Sequence, residues 1–308
     1  MLHFRRVHSA ILFVFVVFAV SLPAFAAPPS QTVWLVSSRS IEASCSQQTG
    51  TLEYWQLGGD CQWNASDEKA FLAADSATVP TVFFLHGNRT GSERAVALGM
   101  HVQTLLKDQA DGKPFRMVIW SWPSDRIPGR NRLDAQVKAV RSDREGFYLA
   151  SLVAKMRSDV PISMIGFSFG ARSIGGALQL LAGGEFDGQK LPPLSTPARK
   201  PIRAALIAAA MDDFAFATDL QNGQAGGQVE RMLVTCNPVD CVLRWYRLMY
   251  RGGGPDALGF TGAACANLSG EKLEQVNVSC EVGHEHSWQR YFCAPSVRSR
   301  LGWYAFVK

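Results

Sequence analysis

The chain has 308 residues, 47% of them hydrophobic, and a formal net charge of +5. That length suits one large α/β domain or two smaller ones, with ample material for a core. So mild a charge, with no aromatics interleaved among basic clusters, gives no nucleic-acid signature, and no nucleic-acid partner is expected.

Residues 1–26 read as a secretory signal peptide. His3, Arg5, Arg6 and His8 make a basic start, Ala10 to Val20 is an apolar run of 11 residues, and Pro23 precedes the A-x-A pattern Ala24-Phe25-Ala26. The run is shorter than the roughly 20 residues of a membrane span, and an uncleaved anchor is the alternative. Cleavage removes two arginines and no acids, leaving +3. No second long apolar stretch follows, so no stable membrane span is expected once the signal is removed. The expected location is secreted or periplasmic. All seven cysteines follow the signal, and export favours disulfides; Cys45 and Cys61 are the most local pair. No CxxC or paired CxxC–HxxxH spacing points to zinc.

Two leading strands or a hairpin are expected at 33–39 and 52–57, inside a short N-terminal strand region, 27–79. From residue 80 strand-like and helix-like stretches alternate. "TVFFLHGN" (81–88) is a buried strand running into a glycine turn, and 94–106 has helical spacing. "RMVIWSWP" (116–123) is a strand stopped by Pro123, 134–158 is a long amphipathic helix, and "PISMI" (161–165) is a short strand before a helix at 171–181. Strands at 203–211 and 230–236, a helix at 241–250 and a last strand at 273–282 follow. Short apolar strands with helical crossovers predict a mostly parallel sheet with helices on both faces. No linker, repeat or low-complexity tract divides 27–308, which reads as a single domain. No oligomeric state follows from the sequence.

Gly166-Phe167-Ser168-Phe169-Gly170 places a serine between a strand and a helix, bracketed by glycines. Such a turn is an elbow: the serine takes a strained conformation, the glycines let strand and helix approach, and the hydroxyl stands at the helix N-terminus. A serine hydroxyl is a weak nucleophile without a base. Only His284 and His286 follow Ser168. His286 is preferred because Ser287-Trp288 can start a helix that fixes the loop, with His284 as the alternative. The base needs an acid to orient it. Asp240, in the turn after 230–236, suits the chain order Ser, Asp, His; Asp212 and Asp213 compete. Oxyanion donors are assigned to the backbone amides of Phe169 and of Asn88, in the turn after 81–85, while His86 reads as a structural turn residue.

The HG turn at 86–87, the elbow at 166–170, Asp240 and the late histidine together resemble the α/β-hydrolase superfamily over about residues 80–295. "HGN", a "WPS"-like strand end and "GFSFG" are similar to an exported subset of it. The resemblance implies an eight-stranded, mostly parallel sheet and a cofactor-free serine nucleophile. The expectation is an exported serine hydrolase, a carboxylesterase acting on a small-molecule ester through an acyl-enzyme. The alternatives are an acyltransferase and a non-catalytic binding protein on the same fold. Trp120 and Trp122 are expected either to line an acyl or alcohol pocket or to pack in the core. Arg89 and Arg126 read as loop arginines with an acidic substrate group as their alternative partner. Sequons beginning at Asn64, Asn88, Asn267 and Asn277 read as incidental.

Overall fold

The computed structural model describes residues 31–41, 51–192, 202–217, 222–263, 268 and 271–308. The signal segment, Cys45 and Cys265 lie outside these residues, so the Cys45–Cys61 pairing does too. Among the described residues Cys61, Cys236, Cys241, Cys280 and Cys293 form no disulfide with one another.

In chain order the elements are β1 (Thr32–Ser37), β2 (Glu53–Leu57), β3 (Trp63–Ser66), α1 (Glu68–Ala73), β4 (Thr81–Leu85), α2 (Ser92–Lys107), β5 (Arg116–Ser121), α3 (Asn131–Lys155), β6 (Ile162–Phe167), α4 (Phe169–Leu181), β7 (Ile202–Ile207), β8 (Val229–Cys236), α5 (Leu258–Thr261), β9 (Leu273–Asn277), α6 (Ser279–Val282), α7 (Trp288–Cys293) and α8 (Pro295–Tyr304). Short 3₁₀ helices occupy Ala225–Gly227 and Leu243–Met249.

One sheet takes all nine strands in the order β3-β2-β1-β5-β4-β6-β7-β8-β9. The expected count of eight is therefore corrected to nine: the extra strand is β3, which pairs with β2 at the edge and carries no fully buried side chain. β2 alone runs against the others, antiparallel to both β1 and β3, while β1 pairs in parallel with β5. The central strands β4, β5 and β6 are buried at every residue, as parallel strands covered on both faces require. α3 packs on α4 in one helical layer, and α2 packs on α8 in the other.

Several expected elements differ, among them the strand expected at 203–211, which ends at Ile207. The strand expected at 273–282 ends at Asn277, whose side-chain oxygen accepts the Ser279 amide and turns the chain into α6. The helix expected at 241–250 is a 3₁₀ helix over Leu243–Met249. Its buried residues Leu243 and Tyr246 are three apart, the spacing at which a helix of about three residues per turn aligns side chains.

The elbow glycines are dictated by contact. A Cβ at Gly166 would lie 2.6 Å from the Ala171 amide nitrogen, and one at Gly170 would overlap the Leu85 carbonyl oxygen. Strand β6, helix α4 and strand β4 meet there with backbone against backbone. Gly170→Ala is expected to destabilise the fold by about 1–3 kcal/mol through overpacking, read as a lowered urea midpoint with unchanged slope.

Under the first helical layer, α3 carries the buried Glu145. The Ser38 hydroxyl lies 2.8 Å from both of its oxygens, and Trp120 Nε1 donates to Oε2 at 2.8 Å. Burial pushes the Glu145 carboxyl up from 4.5 to about 7 against these hydrogen bonds and nearby Arg39. A folded-state acid with a raised pKa holds its proton after the unfolded chain has lost it. Stability therefore falls as pH rises from 4.5 to about 7, by up to about 1.4 kcal/mol per pH unit for one group, and is level above. Denaturant titrations across this window are expected to show that slope, and Glu145→Gln to remove it.

Candidate active site

Three turns at the carboxyl edge of the parallel strands supply the site. Ser168 follows β6, Asp240 follows β8 and His286 follows β9 through α6. Ser168 sits at φ 56°, ψ −118°, a left-handed conformation that a non-glycine residue keeps only when its surroundings enforce it. Here its amide donates to the Ile207 carbonyl at 2.9 Å, and its carbonyl accepts from Ala171 and Ala210. The elbow is thereby tied to its own helix and to the end of β7.

His286 Nε2 lies 3.1 Å from Ser168 Oγ, and its Nδ1 lies 2.8 Å from Asp240 Oδ2. The geometry fits one tautomer: Nδ1–H donates to the carboxylate and Nε2 accepts from the hydroxyl. The Phe167 ring packs against the imidazole at 5.1 Å between centroids. Asp240 is fully buried. Its Oδ1 accepts the amides of Val242 and Leu243, both at 2.9 Å, and its Oδ2 also accepts the Tyr291 hydroxyl at 2.7 Å. Burial raises the carboxyl pKa, but the hydrogen bonds from His286, Leu243 and Tyr291 overcome it and hold the group below its ordinary value.

The rival residues lie elsewhere. His284 turns its Nδ1 to the Val239 carbonyl, 3.0 Å away. Asp212 accepts the hydroxyls of Tyr246 and Tyr250, each at 2.7 Å, and Asp213 meets Thr261. Tyr291 is the member that the sequence reading missed. It lies five residues beyond His286, on α7, whose N-cap is Ser287. A buried tyrosine in a short helix has no motif to mark it.

Opposite the serine, a Cβ on Gly87 would lie 3.0 Å from Ser168 Cβ, so the turn at 86–89 abuts the elbow. Among the described residues the Asn88 amide donates to no backbone acceptor. The Phe169 amide, first in α4, has no intrahelical partner by position. The Asn88 side chain reaches away, to Asp134 Oδ2 at 3.3 Å. His86 braces the turn from behind: Nδ1 meets the Gly87 carbonyl at 2.9 Å, Nε2 accepts the Trp122 amide at 3.2 Å, and the ring stacks on Trp122. Burial lowers the His86 pKa to about 3, so it is the neutral imidazole these two bonds require. Trp120 and Trp122 are wholly buried and belong to the core. Arg89 pairs with the buried Asp134 at 2.8 Å, whereas Arg126 is exposed. Among the described residues no group of three His, Cys, Asp or Glu is placed to hold a metal.

An elbow after the central parallel strand, an acid two strands along and a histidine after β9 meet at one sheet edge, the arrangement that the resemblance over residues 80–295 led us to expect. No family model matches the sequence, and no curated protein matches it. Among solved structures the chain is similar to TT1662 from Thermus thermophilus, at 13% identity and TM-score 0.42, covering 83% of this chain and 94% of that one. It is similar to acyl-protein thioesterase 2 of Zea mays at 12% identity and TM-score 0.38, covering 74% and 93%. A phosphonate-inhibited esterase B from Lactobacillus rhamnosis has 12% identity and TM-score 0.41, covering 92% and 88%.

Tyr291→Phe is expected to cost about 1.5–3 kcal/mol of stability at neutral pH, the worth of a hydrogen bond to a charged group. A carboxyl with a lowered folded pKa contributes stability that is present above its ordinary 3.8 and lost as pH falls through the folded value. Urea titrations are expected to show the deficit of the variant at pH 7 and its shrinkage in acid.

Proposed function

We propose that the protein is an exported serine hydrolase that cleaves small carboxylic esters. The observation that carries this reading is the unbroken chain of hydrogen bonds from Ser168 Oγ through His286 to Asp240. In the proposed reaction His286 Nε2 accepts the Ser168 proton as Oγ attacks the acyl carbon. The Phe169 and Asn88 amides receive the charge that develops on the carbonyl oxygen. His286 then protonates the departing alcohol, leaving an acyl group on Ser168. Water, deprotonated by the same nitrogen, attacks the acyl-enzyme; His286 returns the proton to Oγ and the acid leaves. Asp240 stays ionised throughout, fixing the tautomer and stabilising the imidazolium. The buried donors around it support that role, because they hold the carboxylate charged without substrate present.

Export is part of the reading and rests on the basic start, the 11-residue apolar run and the A-x-A pattern within residues 1–26. Among the described residues no helix is long and apolar enough to cross a membrane.

Ser168→Ala is expected to lower kcat on p-nitrophenyl esters by about 10⁴-fold or more and to abolish labelling by a fluorophosphonate. Retained turnover in that variant would overturn the assignment. His286→Ala is expected to match it, while His284→Ala keeps most of the activity. Intact-mass measurement of material released by the producing cell is expected to give a chain starting at residue 27.

A further inference from the structure

The 3₁₀ helix Leu243–Met249, which begins three residues after Asp240, has three distinct stripes. Leu243 and Tyr246 are buried beneath it. Val242, Trp245 and Leu248, each three residues from the next, are 51%, 57% and 50% exposed. At about three residues per turn, side chains at this spacing eclipse, so the three form one apolar line along the outer face. Arg244 and Arg247 form the third stripe and are exposed, with the Arg244 guanidinium 5.0 Å from the centre of the Trp245 ring.

The basic stripe continues into a groove. Arg132 donates to the Tyr250 carbonyl and Gln136 to the Met249 carbonyl, joining the start of α3 to the end of the 3₁₀ helix. Between these segments lies an open groove of about 600 Å³, lined by Arg130, Asn131, Arg132, Leu133, Gln136 and Arg251. Among the described residues Arg130, Arg132, Arg244, Arg247 and Arg251 form no ion pair. Residues 126–133 contain no acid, and from 237 to 255 the one acid is Asp240, which is buried. Positive charge without ion pairs thus sits beside the exposed apolar line on the 3₁₀ helix and in the groove at the helix end, although the chain as a whole is only mildly basic.

We infer that this face docks on an anionic phospholipid surface, with the arginines at the headgroups and Trp245, Val242 and Leu248 inserted among the outer carbons. Charge complementarity selects the occupant: five arginines without an acidic partner among the described residues call for a dense anionic surface, and the apolar line calls for hydrocarbon immediately beneath it. A tryptophan beside arginines suits that boundary, since its ring is apolar and its N–H remains at the wet edge. A stable protein partner would bury about 800 Å² on each side, more than three side chains in a row supply. Docking here turns the Asp240 turn towards the bilayer. The inference does not require that Ser168 turn over an ester, and its test is a binding measurement.

Ser168→Ala protein, chosen to leave the lipid intact, is mixed with phosphatidylcholine vesicles with and without phosphatidylglycerol, and bound protein is separated by flotation. Strong flotation with the anionic vesicles, weak flotation with phosphatidylcholine alone and loss at high salt are expected. Trp245→Ala with Leu248→Ala is expected to weaken binding at least about tenfold, and each of Arg244→Gln, Arg247→Gln and Arg251→Gln about fivefold. Placed in the chain that keeps Ser168, the same substitutions are expected to leave hydrolysis of a water-soluble short-chain ester unchanged. Equal binding to both vesicle types, no binding, or undiminished binding by the substituted proteins would overturn the inference. So would binding to an acidic peptide or to RNA by protein that ignores the vesicles. A chain that keeps Ser168, floats with the anionic vesicles and yet hydrolyses no ester would sink the hydrolase reading and leave the docking surface standing.

Discussion

A carboxylate buried away from water must be surrounded by donors, and Asp240 is the point at which this constraint organises the molecule. Removing one charge from water costs several kcal/mol unless its lone pairs are filled. Four donors fill them: two amides of the following turn, one imidazole and one phenol. They come from the segment after β8, the loop before α7 and α7 itself, so the anion holds together parts of the chain that are distant in sequence. The Val242 and Leu243 amides belong to the start of the 3₁₀ helix, where an acid also offsets unpaired N–H groups. Asp240 therefore holds the entry to the 3₁₀ helix through one oxygen and meets His286 and Tyr291 through the other.

The serine side meets a different constraint, in which backbone strain is held by packing. The positive φ at Ser168 would relax if α4 could move away from the sheet. It cannot, because Gly166 and Gly170 bring α4 into backbone contact with β6 and β4, and α4 is buried at every residue. From the other side Arg172 anchors the helix through two bonds to Asp143, at 2.7 and 2.9 Å, and one to the Tyr246 hydroxyl. Tyr246 in turn donates to Asp212. The acid considered as a rival to Asp240 thus has structural work of its own: it ties the end of β7 to the 3₁₀ helix, and through Tyr246 to the helix that carries the serine.

Much of this was legible in the sequence where one physical signal dominates. β4, β5 and β6 are continuous apolar runs because both faces are covered, and the elbow is legible because two glycines bracket a serine where strand meets helix. The His286 loop could be read because few histidines follow the serine. Other features were hidden because their cause is tertiary. β3 is a short edge strand without a buried face, and α1 buries Phe71 alone. The segment at 241–250 is rich in helix-compatible residues, and nothing local separates a spacing of three from one of 3.6 over so short a stretch. Trp120 and Trp122 share a strand end, but their indole N–H groups meet Glu145 and the His86 carbonyl, partners that only the folded chain brings near. Tyr291 was unreadable for the same reason.

The 3₁₀ geometry joins the buried and exposed halves of this picture. In an α-helix, residues three apart are offset by about 60° around the axis, and a line such as Val242, Trp245 and Leu248 would wind across the surface. With the tighter helix the buried pair, the apolar line and the arginines each keep their own side. That arrangement is fixed from within: Leu243 and Tyr246 are buried, Tyr246 is held between Arg172 and Asp212, and Asp240 accepts the amides of Val242 and Leu243. A surface pressed against the outer stripes therefore meets a rigid element. Its contacts leave the serine, imidazole and carboxylate where the interior has already placed them.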